Sequence, residues 1–318
     1  MKAAVVTPPH GVPVYADFRD PPAPGAGQLA VRVTAAALSQ VTRSRAAGMH
    51  YSGRTCAPFV AGVDGVGVID GGSRRVYFVQ PSSPFGSMAE RAVLDEAHLL
   101  DVPDGVDDAT AAAIAIPGMS SWAALTERAR LVRGETVLVN GATGTSGRLA
   151  VHVARLLGAK RVIATGRNAA VLKALEAEGI DATVRLGDDG AAFEHELQAH
   201  FRRGIDVVLD YLWGASAERT IVAAARGGSE GRPIRFVQIG AASGQTIALP
   251  SAALRSSALE LMGSGIGSIG LPALLKSIAG VLGAASSGAL SLPTAIRPMS
   301  EVAAHWEAAN ERRLVLVP

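Results

Sequence analysis

Apolar and polar residues alternate over short runs in the first third of the chain, clearly at 29–33 and 63–69, with Pro and Gly clusters such as PPAPGAG at 21–27 between them. Period-two alternation broken by turn residues predicts β-rich structure from residue 1 to about 117. From about 118 the pattern changes. Short apolar runs at 136–140, 161–166, 182–186, 206–212, 235–240 and 258–263 now alternate with segments of helical period. Helices are expected at 147–157, where Leu149, Val153, Leu156 and Leu157 share a face, and at 169–178 and 215–226. Strand and helix in alternation argue a parallel, doubly wound sheet. After a further helix at 272–285, β texture returns at 293–299, followed by a helix at 300–310 and a strand at 313–317. No internal repeat or low-complexity tail is present.

A chain of 318 residues exceeds the size of most single cores, so two domains are expected. Charge narrows the partners: 30 Lys and Arg against 28 Asp and Glu give a net +2, spread along the chain without a basic block. That pattern points away from nucleic acid. The most apolar stretches, 109–116 and 273–285, are too short or interrupted to span a bilayer, so no membrane association is expected. The first residues lack the apolar run of a secretory signal. Cys56 is the one cysteine, which excludes an intrachain disulfide and a four-thiolate zinc site. A cytoplasmic location is the natural expectation.

The candidate chemistry begins at VLVNGATGTSGRLAVHVARL, residues 137–156. Gly141, Gly144 and Gly147 stand three residues apart between an expected strand and an expected helix, and a second strand follows. In that context the glycines fit a dinucleotide cradle: Gly141 for the turn off the strand, Gly144 for close approach of a pyrophosphate, Gly147 for helix packing on the sheet. Free amides at the helix start would face the anion. Between the glycines lie Ala142, Thr143, Thr145 and Ser146; the last two either contact the pyrophosphate or, for Ser146, cap the helix. The second strand ends in TGRN. Thr165, Gly166, Arg167 and Asn168 offer no carboxylate to a ribose hydroxyl, whereas Arg167 suits a 2′-phosphate and Lys173 adds charge nearby. These residues favour NADPH.

The same stretch, with PFVAGVDGVGVI at 58–69, FGSMAERAVLD at 85–95, LLDVPDGVDDATAAAI at 99–114, PGMSSWAAL at 117–125, DVVLDYLWG at 206–214, FVQIG at 236–240 and the closing RLVLVP, resembles the zinc-independent quinone oxidoreductase branch of the medium-chain dehydrogenase/reductases. The resemblance covers nearly the whole chain. It implies an α/β protein with a Rossmann doubly wound parallel sheet at 118–287 and a β-rich GroES-like catalytic domain split into 1–117 and 288–318, with the active site in the cleft between them. It also implies an edge-to-edge homodimer, which the Ser- and Gly-rich strand near 259–270 would suit.

Zinc members of this superfamily ligate their metal through a Cys early in the catalytic domain and a His in a GHE segment. The corresponding stretches here read Leu38, Ser39, Gln40 and Gly62, Val63, Asp64, so no metal is expected. Without a Lewis acid, a conjugated enone, enal or quinone is the fitting substrate, because hydride addition gives a delocalised enolate that a hydroxyl can meet. Tyr51 matches an active-site tyrosine of related reductases and could donate to that oxyanion or supply the proton. His50 is its rival. Ser39 takes the position of an Asn that lies near the nicotinamide in quinone oxidoreductases, a departure from the family pattern. Asp64 is expected to partner nearby backbone or an Arg. Asp210 either lines the cofactor edge or caps the next helix. Gly240 and Ala241, after the fifth strand, are placed on the nicotinamide side, and Arg313 either approaches the adenosine phosphate or is ordinary surface charge. The expected activity is hydride transfer from NADPH to a quinone or an α,β-unsaturated carbonyl, a small-molecule substrate. The alternatives are an NADPH-binding redox sensor or regulatory protein with little turnover and, more weakly, an alcohol dehydrogenase working without metal.

Overall fold

The computed structural model describes residues 1–8, 11–51, 56–308 and 312–318. The chain forms two compact units, Met1–Ile116 with Ile278–Pro318, and Pro117–Ser277.

The first unit begins with β1 (Lys2–Val6), β2 (Val14–Asp17), β3 (Gln28–Ala37) and α1 (Gln40–Ala46). It continues through β4 (Phe59–Val60), β5 (Asp64–Ile69), β6 (Arg75–Val79), β7 (Arg91–Asp95), β8 (Leu99–Asp101) and the start of α2 (Asp108–Ala123). One π turn, Ala124–Arg128, follows α2.

The second unit then alternates strand and helix as the pattern predicts. In order come β9 (Thr136–Asn140), α3 (Thr145–Leu156), β10 (Arg161–Gly166), α4 (Ala169–Ala177), β11 (Ala182–Arg185) and α5 (Gly190–Arg202). After these come β12 (Val207–Asp210), α6 (Gly214–Gly227), β13 (Ile234–Gln238), α7 (Ser251–Arg255), β14 (Leu259–Gly263) and α8 (Leu271–Ser286). The chain returns to the first unit within α8, at Ile278, and continues with β15 (Thr294–Pro298), α9 (Val302–His305) and β16 (Arg313–Val317).

In the first unit β15-β16-β3-β5-β6-β8 form one sheet, with β7 also on β3, and β2-β1-β4 form another. Pairing there is antiparallel except for β15 with β16. In the second unit six parallel strands run in the order β11-β10-β9-β12-β13-β14. Counted within the unit this is 3-2-1-4-5-6, the dinucleotide-fold order, whose topological switch lies between β9 and β12. Leu138, Ile163, Val208 and Phe236 from the sheet pack with Phe193, Leu197 and Phe201 of α5 and Ile221 of α6. Burial of these side chains is the main stabilisation of the unit.

Several boundaries differ from the sequence pattern for local reasons. The run at 206–212 yields strand only over Val207–Asp210. Asp206, ahead of the strand, still bonds Thr136 and Arg235 through its backbone while its carboxylate accepts from Thr136 N and Arg232, and Asp210 turns the chain by accepting from the amides of Leu212 and Trp213. Leu156, expected on the buried face of α3, is 42% exposed; Leu149, Ala150, Val153 and Ala154 carry the packing. The expected helix at 300–310 reduces to a 3-10 turn, Met299–Glu301, and α9, and Asn310 lies outside the described residues. Helix α5, not placed from apolar period, starts at Asp189, whose carboxylate accepts from the amides of Ala191 and Ala192.

Candidate functional site

The second unit builds the glycine-rich turn at the carboxyl end of β9. Gly141 has φ +95, open to glycine at little cost, and its amide donates to both the carbonyl and the hydroxyl of Thr165. Gly147 packs its helix directly on the turn: a Cβ there would lie 2.2 Å from Gly141 O and 2.8 Å from Ala142 Cα. Gly144 is different. It is exposed, has ordinary φ −87, and a Cβ would come no nearer than 3.8 Å to anything, so this glycine keeps space clear.

Gly144 is also the N-cap of α3, and no side chain caps that helix. Ser146 is therefore not the cap: it sits inside α3, because the helix starts at Thr145, two residues earlier than the apolar period indicates. Thr145 is exposed, Thr143 and Ser146 are half-buried, and Ala142 is fully buried. The amides of the first turn have no helical acceptor, and the helix dipole places partial positive charge there. An open helix start, a glycine that leaves room and a turn closed on itself fit the pyrophosphate of a dinucleotide.

At the end of β10, Gly166 is buried, and a Cβ would strike the side chain of Thr143. Arg167, Asn168 and Lys173 are exposed. Asn168 caps α4, its carbonyl oxygen accepting from the amides of Ala170 and Val171. Gly240 follows β13, its amide bonded to Asp210 O, with half-buried Ala241 next.

Beneath these turns lies a polar cluster that apolar patterning does not single out. Asn140 Nδ2 donates to Asp210 Oδ1 (2.7 Å) and Ser216 Oγ (3.1 Å), and Thr165 Oγ1 donates to Asn140 Oδ1 (2.6 Å). All but Ser216 are fully buried. Burial pushes the Asp210 carboxyl up to about 6, opposed by the hydrogen bonds from Asn140, Leu212 and Trp213. Of the two roles expected for Asp210, the cap of the next helix is not realised: its carboxylate accepts from the amides of Leu212 and Trp213 in the turn ahead of α6, whose start has no side-chain cap. A legible signal existed: Asn140, Thr165 and Asp210 are polar residues at the carboxyl ends of otherwise apolar strands.

In the first unit, Ser39 is buried and caps α1: its hydroxyl accepts from Thr42 N (3.0 Å) and pairs with Thr42 Oγ1 (2.8 Å). Thr42 and Val63 line a pocket of about 40 Å³ with Arg45, Phe59, Gly62 and Ser83. Tyr51 is 71% exposed and its ring stacks on His50 at 4.4 Å. Gly53 of the segment that suggested Tyr51 lies outside the described residues. Burial, and after it the charge of Arg45, lowers the pKa of His50, so at neutral pH this rival proton donor holds its proton less than a free imidazole does.

Asp64 accepts from Tyr77 Oη (2.9 Å), and Arg313 adds an attractive charge. Burial dominates and pushes Asp64 up to about 7; burial also lowers Arg313 to about 10, with Asp64 opposing. Arg313 is thus not ordinary surface charge, since its guanidinium is enclosed within the first unit. Among the described residues no group of three or more His, Cys, Asp or Glu is placed to hold a metal ion. Cys56 is exposed. No helix among them is long and apolar enough to cross a membrane.

Residues 147–280 match the family described as zinc-binding dehydrogenase. The chain is 30% identical over 348 residues, covering 96% of both chains, to a probable NADPH-dependent quinone reductase from Emericella nidulans. Among solved structures it is similar to the quinone oxidoreductase from Thermus thermophilus, also solved in complex with NADPH, with 28% identity, a TM-score of 0.81 and 100% of both chains covered. A mycobacterial quinone oxidoreductase shares the fold at 22% identity, with a TM-score of 0.85 over 100% of both chains. An open glycine turn on a 3-2-1-4-5-6 sheet, in a chain that also carries a β-rich unit and has a relative this similar along nearly its full length, leads to one family: the chain belongs to the quinone oxidoreductase-like members of the medium-chain dehydrogenase/reductase superfamily.

Proposed function

We propose that the chain is a zinc-free, NADPH-dependent oxidoreductase that reduces a quinone or an α,β-unsaturated carbonyl. The observation that carries this is the uncapped start of α3 behind exposed Gly144, together with the acid-free end of β10. Bound NADPH supplies a hydride. The amides of Gly144, Thr145, Ser146 and Gly147 meet the pyrophosphate, with Gly141, Ala142 and Thr143 shaping the turn, while Gly166, Arg167, Asn168 and Lys173 surround the 2′-phosphate. Gly240 and Ala241 line the nicotinamide side. Arg313, enclosed in the first unit and acted on by the charge of Asp64, is assigned to the interior of that unit and given no cofactor contact.

Tyr51 is the proposed hydroxyl donor to the substrate oxygen: it is solvent-exposed, its ring stacks on His50, and its charge acts on Arg45. Ser39 acts through its cap on α1, shaping the pocket that Thr42 and Val63 line. Val63, apolar where zinc relatives carry a His, and the thiol-free stretch Leu38, Ser39 and Gln40 support the zinc-free reading. The protein is proposed to work in the cytoplasm.

Fluorescence titration with NADPH and NADH, followed by NADPH oxidation against a panel of quinones and enals, tests this reading. Tighter binding of NADPH is expected, and Arg167→Ala should weaken NADPH about 10- to 100-fold while sparing NADH. Tyr51→Phe should lower turnover without changing NADPH affinity. Equal affinity for the two cofactors sinks the NADPH assignment; tight binding with no turnover on any member of the panel favours a sensor.

A further inference from the structure

We propose that Asp210 is a positioning residue for the cofactor site, one that ties together the turns after β9, β12 and β13. The inference rests on the reading that Gly141–Gly147 holds NADPH.

Three observations meet at this residue. Its carboxylate receives the amides of Leu212 (3.2 Å) and Trp213 (3.0 Å) and so shapes the turn after β12. Its backbone carbonyl receives the amides of Ile239 (2.7 Å) and Gly240 (3.1 Å), which holds the turn after β13. Through Asn140 the carboxylate also reaches the turn after β9.

That last link has a direction. A carboxylate only accepts, so it draws the amide nitrogen of Asn140 toward itself. Asn140 then presents its oxygen to Thr165, and the Thr165 hydroxyl must donate to it. With its proton so committed, Thr165 Oγ1 offers a lone pair to the amide of Gly141, the first residue of the glycine turn (3.3 Å). The order of donors and acceptors from Asp210 to Gly141 follows from one negative charge. Every one of these contacts lies within the second unit.

Trp213 adds an independent sign of constraint. It has φ 56 and ψ −157, a backbone region costly for any residue with a side chain, and no side chain caps α6 there. The Asp210 bond to its amide accompanies this conformation, while the indole packs against Phe236 edge-on at 6.4 Å. Leu212 in turn closes on Gly141, whose added Cβ would fall 2.9 Å from Leu212 Cγ. The turn after β12 thus fits against the glycine turn directly as well as through the polar cluster.

The test uses the full chain with Asp210→Asn and Thr165→Val, both close in volume to the residues they replace. Asp210→Asn keeps one acceptor oxygen but sets an NH2 donor against donors, at Asn140 and Leu212 or at Trp213, and removes the charge that orders the relay; Thr165→Val removes the relay hydroxyl and leaves Asp210 in place. Each should raise the NADPH Kd about tenfold, and KM for NADPH with it, while kcat at saturating NADPH stays near wild type. Thr165→Ser should retain wild-type affinity. A Kd within twofold of wild type in either folded variant overturns the proposal, as does a loss shared by Thr165→Ser or a fall in kcat with KM unchanged. The two variants act at opposite ends of the relay, so if one fails to fold the other decides. A wild-type chain that binds no NADPH overturns the cofactor reading and this inference together; wild-type binding with insensitive variants overturns this inference alone.

Discussion

Asp64 shows how a single buried side chain sets a condition on stability. In the folded chain its carboxyl holds a proton up to about pH 7, whereas its ordinary value is 3.8. Between these values the folded state binds the proton and the unfolded state does not, so unfolding releases it and stability falls as pH rises across that window. Asp64→Asn removes the titration. Its melting temperature, measured relative to wild type, should therefore rise between pH 5 and pH 7.5; a constant difference would show that Asp64 is already ionised at pH 5. The sequence singled out Asp64 as the partner of backbone or an Arg; instead its hydrogen bond comes from Tyr77, and Arg313 acts on it only through its charge. The sequence could not show enclosure of Arg313, which depends on β16 pairing with β3 nearly three hundred residues away in sequence.

The start of α3 separates two uses of glycine on one element. A methyl on Gly147 would meet backbone at 2.2 Å, so Gly147→Ala must push the helix off the turn and should cost about 1–3 kcal/mol of stability, read as a lower melting temperature without ligand. A methyl on Gly144 meets nothing within 3.8 Å at an ordinary φ. Gly144→Ala should leave that melting temperature within about a degree or two and weaken NADPH binding, because the methyl occupies the approach to the helix start. Unchanged binding in Gly144→Ala would place the pyrophosphate elsewhere. At this scale much was legible: β9 and β10 begin and end where the apolar runs do, since buried parallel strands read as continuous apolar segments. The start of α3 and the end of β12 were not, because an uncapped glycine and an Asp210 turn leave no mark in apolar period.

The parallel sheet of the second unit has two edge strands, β11 and β14. β14 pairs with β13 on one side, and among the described residues no strand pairs with its other side. Leu261 on that strand is 37% exposed. Unprotected edges invite pairing with another chain, and a homodimer joined along β14 is the assembly proposed here. Light scattering should give twice the 32.5 kDa of the chain, and Leu261→Lys should return it toward the single-chain mass; a wild-type monomer at micromolar concentration would reject the assembly. The change of texture near residue 118 lies beside the boundary of the compact units at Ile116 and Pro117, whereas the return expected at 288 comes later than Ile278, because α8 runs across that second boundary. The six-strand order was not legible, since apolar runs name strands without naming neighbours.

The capping of α4 by Asn168 bears on how cofactor preference could be engineered. Its carbonyl oxygen is occupied by two amides, Thr165 Oγ1 is turned inward to Asn140 and Gly141, Gly166 has no side chain, and Arg167 only donates. A diol seeking an acceptor at the end of β10 finds none on these four side chains. The proposed preference for NADPH would rest on that lack of acceptors as well as on the attraction of Arg167. Deleting the arginine alone would yield an indifferent protein, and reversal toward NADH would require installing a carboxylate where the tetrapeptide has none.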